Sequence, residues 1–278
     1  MDSEMTVEQA NSFLTMLTEG KEIQGVNTSL ALNLIPLAKE LGRNELVHQL
    51  LSIAEREATS TSEIAWSSFE RLKDDNGEAE QFFELAIQHE NDDAMGPFVA
   101  AVYHHVGLLH LSNAQFDDAH TVALRALRFR EKNGDPTGLK YGLQLLCTIC
   151  KRLNDSQGAL AYATRILEAG IRDSNEEQKM QAYADIGHIQ ATVGSFDEAK
   201  DALQHSIDLA GELDDVSGIL VASWGLADIA EIHEQYEQAM ILLSTCVQEF
   251  MSRQQPAPQA LLARIEALTA LNQGPSSS

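Results

Sequence analysis

The chain lacks the features that would place it outside the cell or within a membrane. Its 278 residues include only three cysteines, whereas secreted scaffolds usually carry more of them, in pairs. It has no run of the ~18 apolar residues that could span a membrane. The first residues, Met1 to Glu4, lack the basic start and apolar core of a signal peptide. These absences predict a cytoplasmic protein.

Positive charge is also scarce. The sequence holds 19 lysines and arginines against 42 aspartates and glutamates, which gives a formal net charge of −23. Nucleic acids and anionic membranes both attract positive charge, so we predict that the chain binds neither. We expect partners that are neutral or basic.

Internal repetition is what the sequence has in abundance. One alanine recurs every 40 residues, at Ala79, Ala119, Ala159, Ala199 and Ala239. Three further apolar columns, which begin at Trp66, Phe69 and Ile87, keep the same period. A repeated unit of this length is the sequence signature of a solenoid or a propeller.

Helical spacing dominates inside each unit. Ile186 and Ile189 share one helical face, Gly194 interrupts the pattern, and Leu203 and Ile207 share a second face. No unit alternates with a period of two, so strands and propeller blades are not expected. Because each helix pair must stack on the next to bury its apolar face, we predict an all-α, right-handed superhelical solenoid of antiparallel pairs, with about 13 helices.

The units resemble tetratricopeptide repeats. The unit that begins at Tyr183 carries Gly194, Phe196 and Ala199 at the small and aromatic positions of that family. The period of 40, longer than the common ~34, resembles the repeats of kinesin light chains, cortical polarity adaptors and bacterial peptide-pheromone receptors. The resemblance covers about residues 60–252. It implies that the first helix of each pair lines a concave groove.

The two ends depart from the period. A helix pair is predicted at 28–58, where Leu30, Leu34, Leu37 and Leu41 form one apolar face, and a short helix is predicted at about 6–18. Pro256 and Pro258 break the array. Terminal units of solenoids are atypical because they cover the exposed apolar end. We therefore predict divergent capping helices at 1–58, the repeat array at 59–252, a capping helix at 253–272 and a disordered tail at 273–278.

A basic run interrupts the acidic background. Between Arg125 and Arg152 the sequence holds seven basic and two acidic residues. Charge runs are usually solvated helix faces, and that interpretation stays open beside a local site for an anion. Lys151 and Arg152 are the stronger half of such a site, because they are the only adjacent basic pair on a predicted first helix of the regular units.

The predicted groove combines aromatic, amide, basic and acidic side chains. The predicted partner-binding residues are Lys151, Arg152, Tyr141, Gln144, His188, His104, Trp224 and Asp228. Packing of Trp224 in the core is an equal alternative. Such a surface suits an extended or helical peptide. We expect a peptide that is mostly apolar or basic and carries one acidic anchor for Lys151 and Arg152.

Catalytic and metal-binding patterns are weak. Cys147 and Cys150 have the spacing of a redox or zinc pair, but they lie inside a predicted helix without a second pair, so buried thiols are predicted. His104 and His105 point about 100° apart on a helix. No nucleophile elbow or phosphate loop is present. We predict no metal, no cofactor and no enzyme activity.

Two functions of different kinds remain. The first is a scaffold or adaptor that binds a peptide segment of another protein in the groove. The alternative is a ligand-responsive regulator, which senses a peptide and alters a signalling or transcription partner. Receptors of that kind usually carry an N-terminal effector domain, whereas about 58 residues precede the regular units here. The sequence leaves the oligomeric state open.

Overall fold

The structure, a computed structural model, describes residues 26–273 together with Thr15. Thirteen α-helices and one short 3-10 helix occupy these residues, and no strand occurs among them. The predicted all-α helical repeat fold is therefore confirmed. Apart from Thr15 and Gln273, the helix predicted at about 6–18 and the tail predicted at 273–278 lie outside the described residues.

The helices follow one another in antiparallel pairs along the chain. Their bounds are α1 (Thr28–Glu40), α2 (Asn44–Glu57), α3 (Thr61–Asp74), α4 (Ala79–Ile87), α5 (Gly96–Ser112), α6 (Phe116–Asn133), α7 (Pro136–Arg152), α8 (Ser156–Arg172), α9 (Glu176–Thr192), α10 (Phe196–Glu212), α11 (Val216–Ile232), α12 (Tyr236–Ser252) and α13 (Gln259–Gln273). The 3-10 helix, Asp93–Met95, precedes α5.

A left-handed residue follows each of the regular helices. A positive φ ends a helix because it turns the chain away from the helical path. From α5 to α12 these residues are spaced by 20, at Ala114, Gly134, Asn154, Ser174, Gly194, Asp214, Glu234 and Gln254. The repeat that the alanines reveal in the sequence is therefore also a repeat of the backbone.

Contact density divides the chain into two compact units, Met1–Leu139 (unit 1) and Lys140–Ser278 (unit 2). Unit 1 contains two cores. One joins α1 to α2, and its buried residues are Ala31, Leu34, Ile35, Ala38, Leu46, Val47, Leu50, Leu51 and Ala54. The other joins α3 to α6 and is rich in aromatic side chains, including Phe69, Phe82, Phe98 and Tyr103.

The buried face of α1 differs from the predicted one. Of the four leucines predicted to share it, Leu34 is fully buried, Leu30 and Leu37 are half-buried, and Leu41 is 44% exposed. The actual face is centred on Leu34 and Ile35. Apolar residues occupy much of the circumference of α1, so their spacing alone did not specify which side packs on α2.

Unit 2 packs around small residues of the second helices. Ala159, Ala199 and Ala239 are fully buried. A Cβ atom added to Gly187 of α9 would lie 3.1 Å from the backbone oxygen of Ala199 on α10. Such a close approach requires small side chains on both helices. At the end of the unit, Leu261 of α13 is buried in a cluster with residues of α11 and α12. The four predicted segments stay a prediction.

Candidate functional site

Four residues of α7 form a polar stripe along one side of that helix. Tyr141, Gln144, Thr148 and Lys151 are separated by three or four residues, so they share one face, which we call the α7 stripe. Tyr141 is 55% exposed, and the hydroxyl of Thr148 donates to the carbonyl of Gln144 at 2.9 Å. The stripe therefore presents an aromatic ring, an amide and a cation on a regular helix.

Lys151 has an acidic partner. Its Nζ lies 2.5 Å from Oδ1 of Asp185 on α9. The two side chains are 37% and 40% exposed, so water screens the pair and its contribution to stability is about 1 kcal/mol or less. Asp185 was not among the predicted partner-binding residues. The helical spacing within α7 gives no signal for it, because that spacing does not show which residue of α9 faces Lys151.

A small pocket lies at the C-terminal end of the α7 stripe. Its volume is about 230 Å³, and its lining residues are Lys151, Asn154, Ser156, Ala159, His188, Ile189 and Thr192. We call it the Lys151 pocket. It combines an ammonium group, an imidazole, an amide and hydroxyls with the apolar side chains of Ala159 and Ile189. Such donors can hold a carboxylate through charge-assisted hydrogen bonds.

Arg152 does not line this pocket. It follows Lys151 by one residue, which turns its side chain about 100° around the helix. Arg152 is exposed and forms no ion pair with any of the residues that the structure describes. The adjacent basic pair of the sequence thus becomes one pocket-lining lysine and one separate surface arginine. A joint role of the two residues toward an acidic group stays a prediction.

His188 packs against the next first helix. A Cβ atom added to Gly225 of α11 would lie 2.7 Å from Cε1 of His188. The half-buried imidazole therefore rests on the α11 backbone, and the glycine leaves the space that it needs. Helix α11 in this way fixes one wall of the Lys151 pocket.

Arg264 of α13 covers the predicted acidic part of the groove surface. Its guanidinium carbon lies 4.4 Å from the centroid of the Trp224 ring. Its Nη2 is 2.5 Å from Oδ1 of Asp228, and its Nε is 3.0 Å from Oε1 of Glu231. The Arg264 side chain is only 14% exposed. Trp224 and Asp228 are therefore engaged within the chain, and their binding to a partner stays a prediction.

His104 belongs to unit 1, where it contacts a buried arginine. Arg130 is buried, and its Nη1 donates to the carbonyl oxygen of Gly138 at 2.6 Å and lies 3.4 Å from Nδ1 of His104. Burial and then the charge of Arg130 lower the pKa of His104 to about 4. The imidazole is therefore neutral at pH 7, and its Nδ1 can accept from the guanidinium.

The depressed pKa of His104 predicts a loss of stability in acid. The unfolded chain protonates this residue near pH 6.5, whereas the folded chain does so near pH 4, so unfolding takes up a proton between these values. The free energy of unfolding should be highest above pH 6.5 and should fall by roughly 1–2 kcal/mol toward pH 4, once solvent screening of this half-buried group is allowed for. Urea unfolding of His104→Gln should show a smaller loss of this free energy over the same pH range than the wild type does. His120→Gln is the control, and an identical pH dependence of both variants would contradict the prediction.

Several residues of the basic run contact other residues of unit 1. The guanidinium of Arg125 lies 5.4 Å from the Phe83 ring centroid and 3.7 Å from Glu90. Lys132 pairs with Asp93 at 2.5 Å. Together with the buried Arg130, these contacts show that the run does not act as a single surface patch.

Cys147 and Cys150 are buried, free thiols. Burial raises the pKa of each to about 11, so both stay protonated at neutral pH. The predicted burial of the two thiols is confirmed. Within the described part of the chain, no group of three or more histidine, cysteine, aspartate or glutamate side chains is placed to hold a metal ion. No helix there has the length and apolar character needed to cross a membrane.

Comparisons with known proteins agree with the repeat fold. Residues 181–212 match the family model described as tetratricopeptide repeat. Among curated proteins, no sequence matches the chain. The apo form of RapI is 11% identical with a TM-score of 0.67, over 95% of this chain and 75% of RapI. Aspartyl phosphate phosphatase F from Bacillus subtilis is 15% identical with a TM-score of 0.56, over 100% and 79%.

A third similar structure is that of a protein described as containing TPR repeats. The C-terminal part of a TPR repeat-containing protein from Cytophaga hutchinsonii is 11% identical with a TM-score of 0.57, over 92% of this chain and 93% of that one. At such identities the likeness concerns the fold. The predicted resemblance to tetratricopeptide-repeat proteins is confirmed.

Proposed function

We propose that the chain is an interaction scaffold that binds a peptide segment of a partner protein along the α7 stripe. An acidic side chain or a terminal carboxylate of that segment occupies the Lys151 pocket. The observation that carries this proposal is the pocket itself, in which Lys151, His188 and Thr192 surround about 230 Å³ at the end of an exposed polar stripe. Drug-sized ligands usually need about 300–1,000 Å³, so a single side chain or a chain end is the better fit.

The pairing of Lys151 with Asp185 is compatible with a ligand carboxylate. An ammonium group has three donors, and Asp185 takes one of them. A ligand carboxylate can take another while Asp185 stays in place. Because Asp185 already orders the lysine side chain, binding costs less conformational entropy than binding to a free lysine.

Other residues of the α7 stripe and the net charge indicate which further groups the ligand should carry. Tyr141 offers a largely exposed ring, and Gln144 offers an amide that can pair with a peptide bond. The net charge of −23 disfavours a partner with further acidic groups. The proposal leaves out His104, Trp224 and Asp228, since each already contacts an arginine of the same chain. It assigns no catalytic role to any residue.

Selection from a displayed library of random peptides tests this proposal. Peptides enriched on the wild-type chain should carry one aspartate, glutamate or free carboxyl terminus among apolar or basic residues. Each should bind the Lys151→Glu, Arg152→Glu double variant at least about ten-fold more weakly, which corresponds to about 1.4 kcal/mol. Titration calorimetry measures the affinities. Lys151→Gln alone should cause most of the loss of affinity seen for the double variant.

The matched control changes the same amount of charge elsewhere. Arg128→Glu with Lys200→Glu alters two exposed residues that form no ion pair with the described residues. This control variant should bind the selected peptides as the wild type does. If the peptides bind both double variants equally, the α7 stripe is not the binding surface.

A ligand-responsive regulator is the second candidate. The observation in its favour is the repeat period of 40 residues, which resembles that of bacterial peptide-pheromone receptors. In that case a selected peptide should change the structure of the chain in addition to binding it. Small-angle scattering with and without peptide separates the two, because a static scaffold keeps its radius of gyration.

A further inference from the structure

A cleft in unit 1 forms a second surface with different chemistry. It lies between α1 and α3 and has a volume of about 490 Å³. The lining residues that matter here are Leu32, Asn33, Pro36, Glu63, Trp66 and Glu70. We call it the N-terminal cleft. Its volume falls in the range of about 300–1,000 Å³ typical of ligand sites.

The apolar part of the cleft is preformed. The Trp66 ring makes edge-to-face contacts with Phe98 and Phe69, at centroid distances of 5.1 and 5.9 Å. Trp66 is therefore fixed from the core side, while the cleft leaves another part of the ring open. Leu32 and Pro36 of α1 supply the facing apolar surface.

Each carboxylate in the cleft has one engaged and one open oxygen. Oε2 of Glu63 accepts hydrogen bonds from the backbone and hydroxyl groups of Thr59 and Ser60. Oε1 of Glu70 lies 2.7 Å from Nζ of Lys73. The other oxygen of each glutamate has no hydrogen bond to a described residue. The bonds from Thr59 and Ser60 also lower the pKa of Glu63 to about 2, so this group is charged at neutral pH.

Asn33 adds a polar group of another kind. It is exposed on α1, and its amide makes no hydrogen bond with the described residues. A side-chain amide has both donors and an acceptor, so it can pair with a backbone or side-chain amide of a ligand. The cleft thus combines an apolar wall, two anions and one free amide.

The chain contains a comparable surface that one of its own side chains covers. On α11, Trp224 is followed after four residues by Asp228, and Arg264 covers both. On α3, Trp66 is followed after four residues by Glu70 in the same way. Residues four apart share a helix face. The occupant of the α11 surface is an arginine on a helix whose apolar residues, such as Leu261, pack beside it.

We propose that the N-terminal cleft binds an amphipathic helix of a partner protein that presents an arginine among apolar residues. The guanidinium group lies against the Trp66 ring and pairs with Glu70, and Glu63 attracts a second basic group. The apolar residues of the helix contact Leu32 and Pro36. This surface is separate from the Lys151 pocket, and the assignment does not rest on the function proposed for that pocket.

A peptide that copies residues 257–273 of this chain is the probe, because it has the required pattern around Arg264. Titration calorimetry with the full-length protein should detect binding. The same peptide with Arg264→Ala should bind at least about ten-fold more weakly. Glu70→Gln in the protein should lower the affinity for the unmodified peptide by a similar factor. Glu63→Gln should have a smaller effect, since glutamine preserves the capping box at the start of α3.

Glu45→Gln is the matched control, because it removes one charge from an exposed carboxylate of α2 outside the cleft. It should leave the affinity unchanged, and thermal melting should show that all three variants fold. Absence of binding, or equal affinity of the Glu70→Gln and Glu45→Gln proteins, would overturn the proposal. A concentration-dependent dimer that Glu70→Gln abolishes in sedimentation would also overturn it, because the occupant would then be a second copy of the chain.

Discussion

Substitution of Ala159 by leucine should lower the free energy of unfolding by roughly 1–3 kcal/mol. Ala159 is fully buried in a cluster with Cys147, Cys150 and Ile186. The Cys147 thiol lies 3.5 Å from its backbone oxygen, so α7 and α8 approach closely at this point. The three further carbon atoms must either separate α7 from α8 at this crossing or enter the Lys151 pocket, which Ala159 also lines. Urea unfolding followed by circular dichroism measures the loss.

The control for this prediction lies two residues along the same helix. Ala161 is exposed, so Ala161→Leu adds the same atoms without meeting the core. Its effect should stay within about 0.5 kcal/mol. Equal losses from both variants would mean that the alanine column does not mark close helix crossings.

Substitution of Gly187 by alanine should also destabilise the chain, by about 1–3 kcal/mol. The added Cβ atom would lie 2.5 Å from Cγ of Leu203 and 3.1 Å from the backbone oxygen of Ala199. Cγ is the branch point of the leucine side chain, and Leu203 is itself fully buried, so it cannot move aside freely. The same substitution in an open helix would instead be favourable, because alanine has the higher helix propensity.

Gly211 provides that comparison within unit 2. It lies in α10, and no atom would come within 4 Å of a Cβ atom added there. Gly211→Ala should raise the free energy of unfolding by about 0.5–1 kcal/mol. Opposite signs for the two glycine variants are therefore the expected result. A stabilising Gly187→Ala would show that α9 and α10 can separate at little cost.

The sequence predicted the fold well because the same apolar pattern occurs in several successive units. Ala119, Ala159, Ala199 and Ala239 are all fully buried on second helices. The first alanine of the column, Ala79, is only half-buried at the start of the nine-residue α4. That unit is also the most divergent in sequence. In α1 and α4 the repeat pattern is weaker, and there the sequence did not predict correctly which residues are buried.

The candidate site was harder to predict because its contacts join different helices. Helical periodicity placed Tyr141, Gln144 and Lys151 on one face, and the structure has them there. Periodicity within one helix does not identify the facing residue on the next helix, so Asp185 was missed. Arg264 was missed for a related reason, since α13 lies beyond the last regular unit and has no equivalent in the alanine column.

The regular turns carry a consequence for folding. Among the described residues, seven that are not glycine adopt a positive φ, and Ala114 and Glu234 are two of them. An L-residue in this region costs about 1–2 kcal/mol, because its Cβ crowds the following carbonyl oxygen. Local preference therefore opposes these turns. Backbone hydrogen bonds, such as the one from the Gln115 N–H to the carbonyl of His110 at 2.9 Å, and packing between neighbouring helices must together hold them. A single helix pair cut from the chain should lose its turn and unfold, whereas several consecutive pairs should fold together in one cooperative transition.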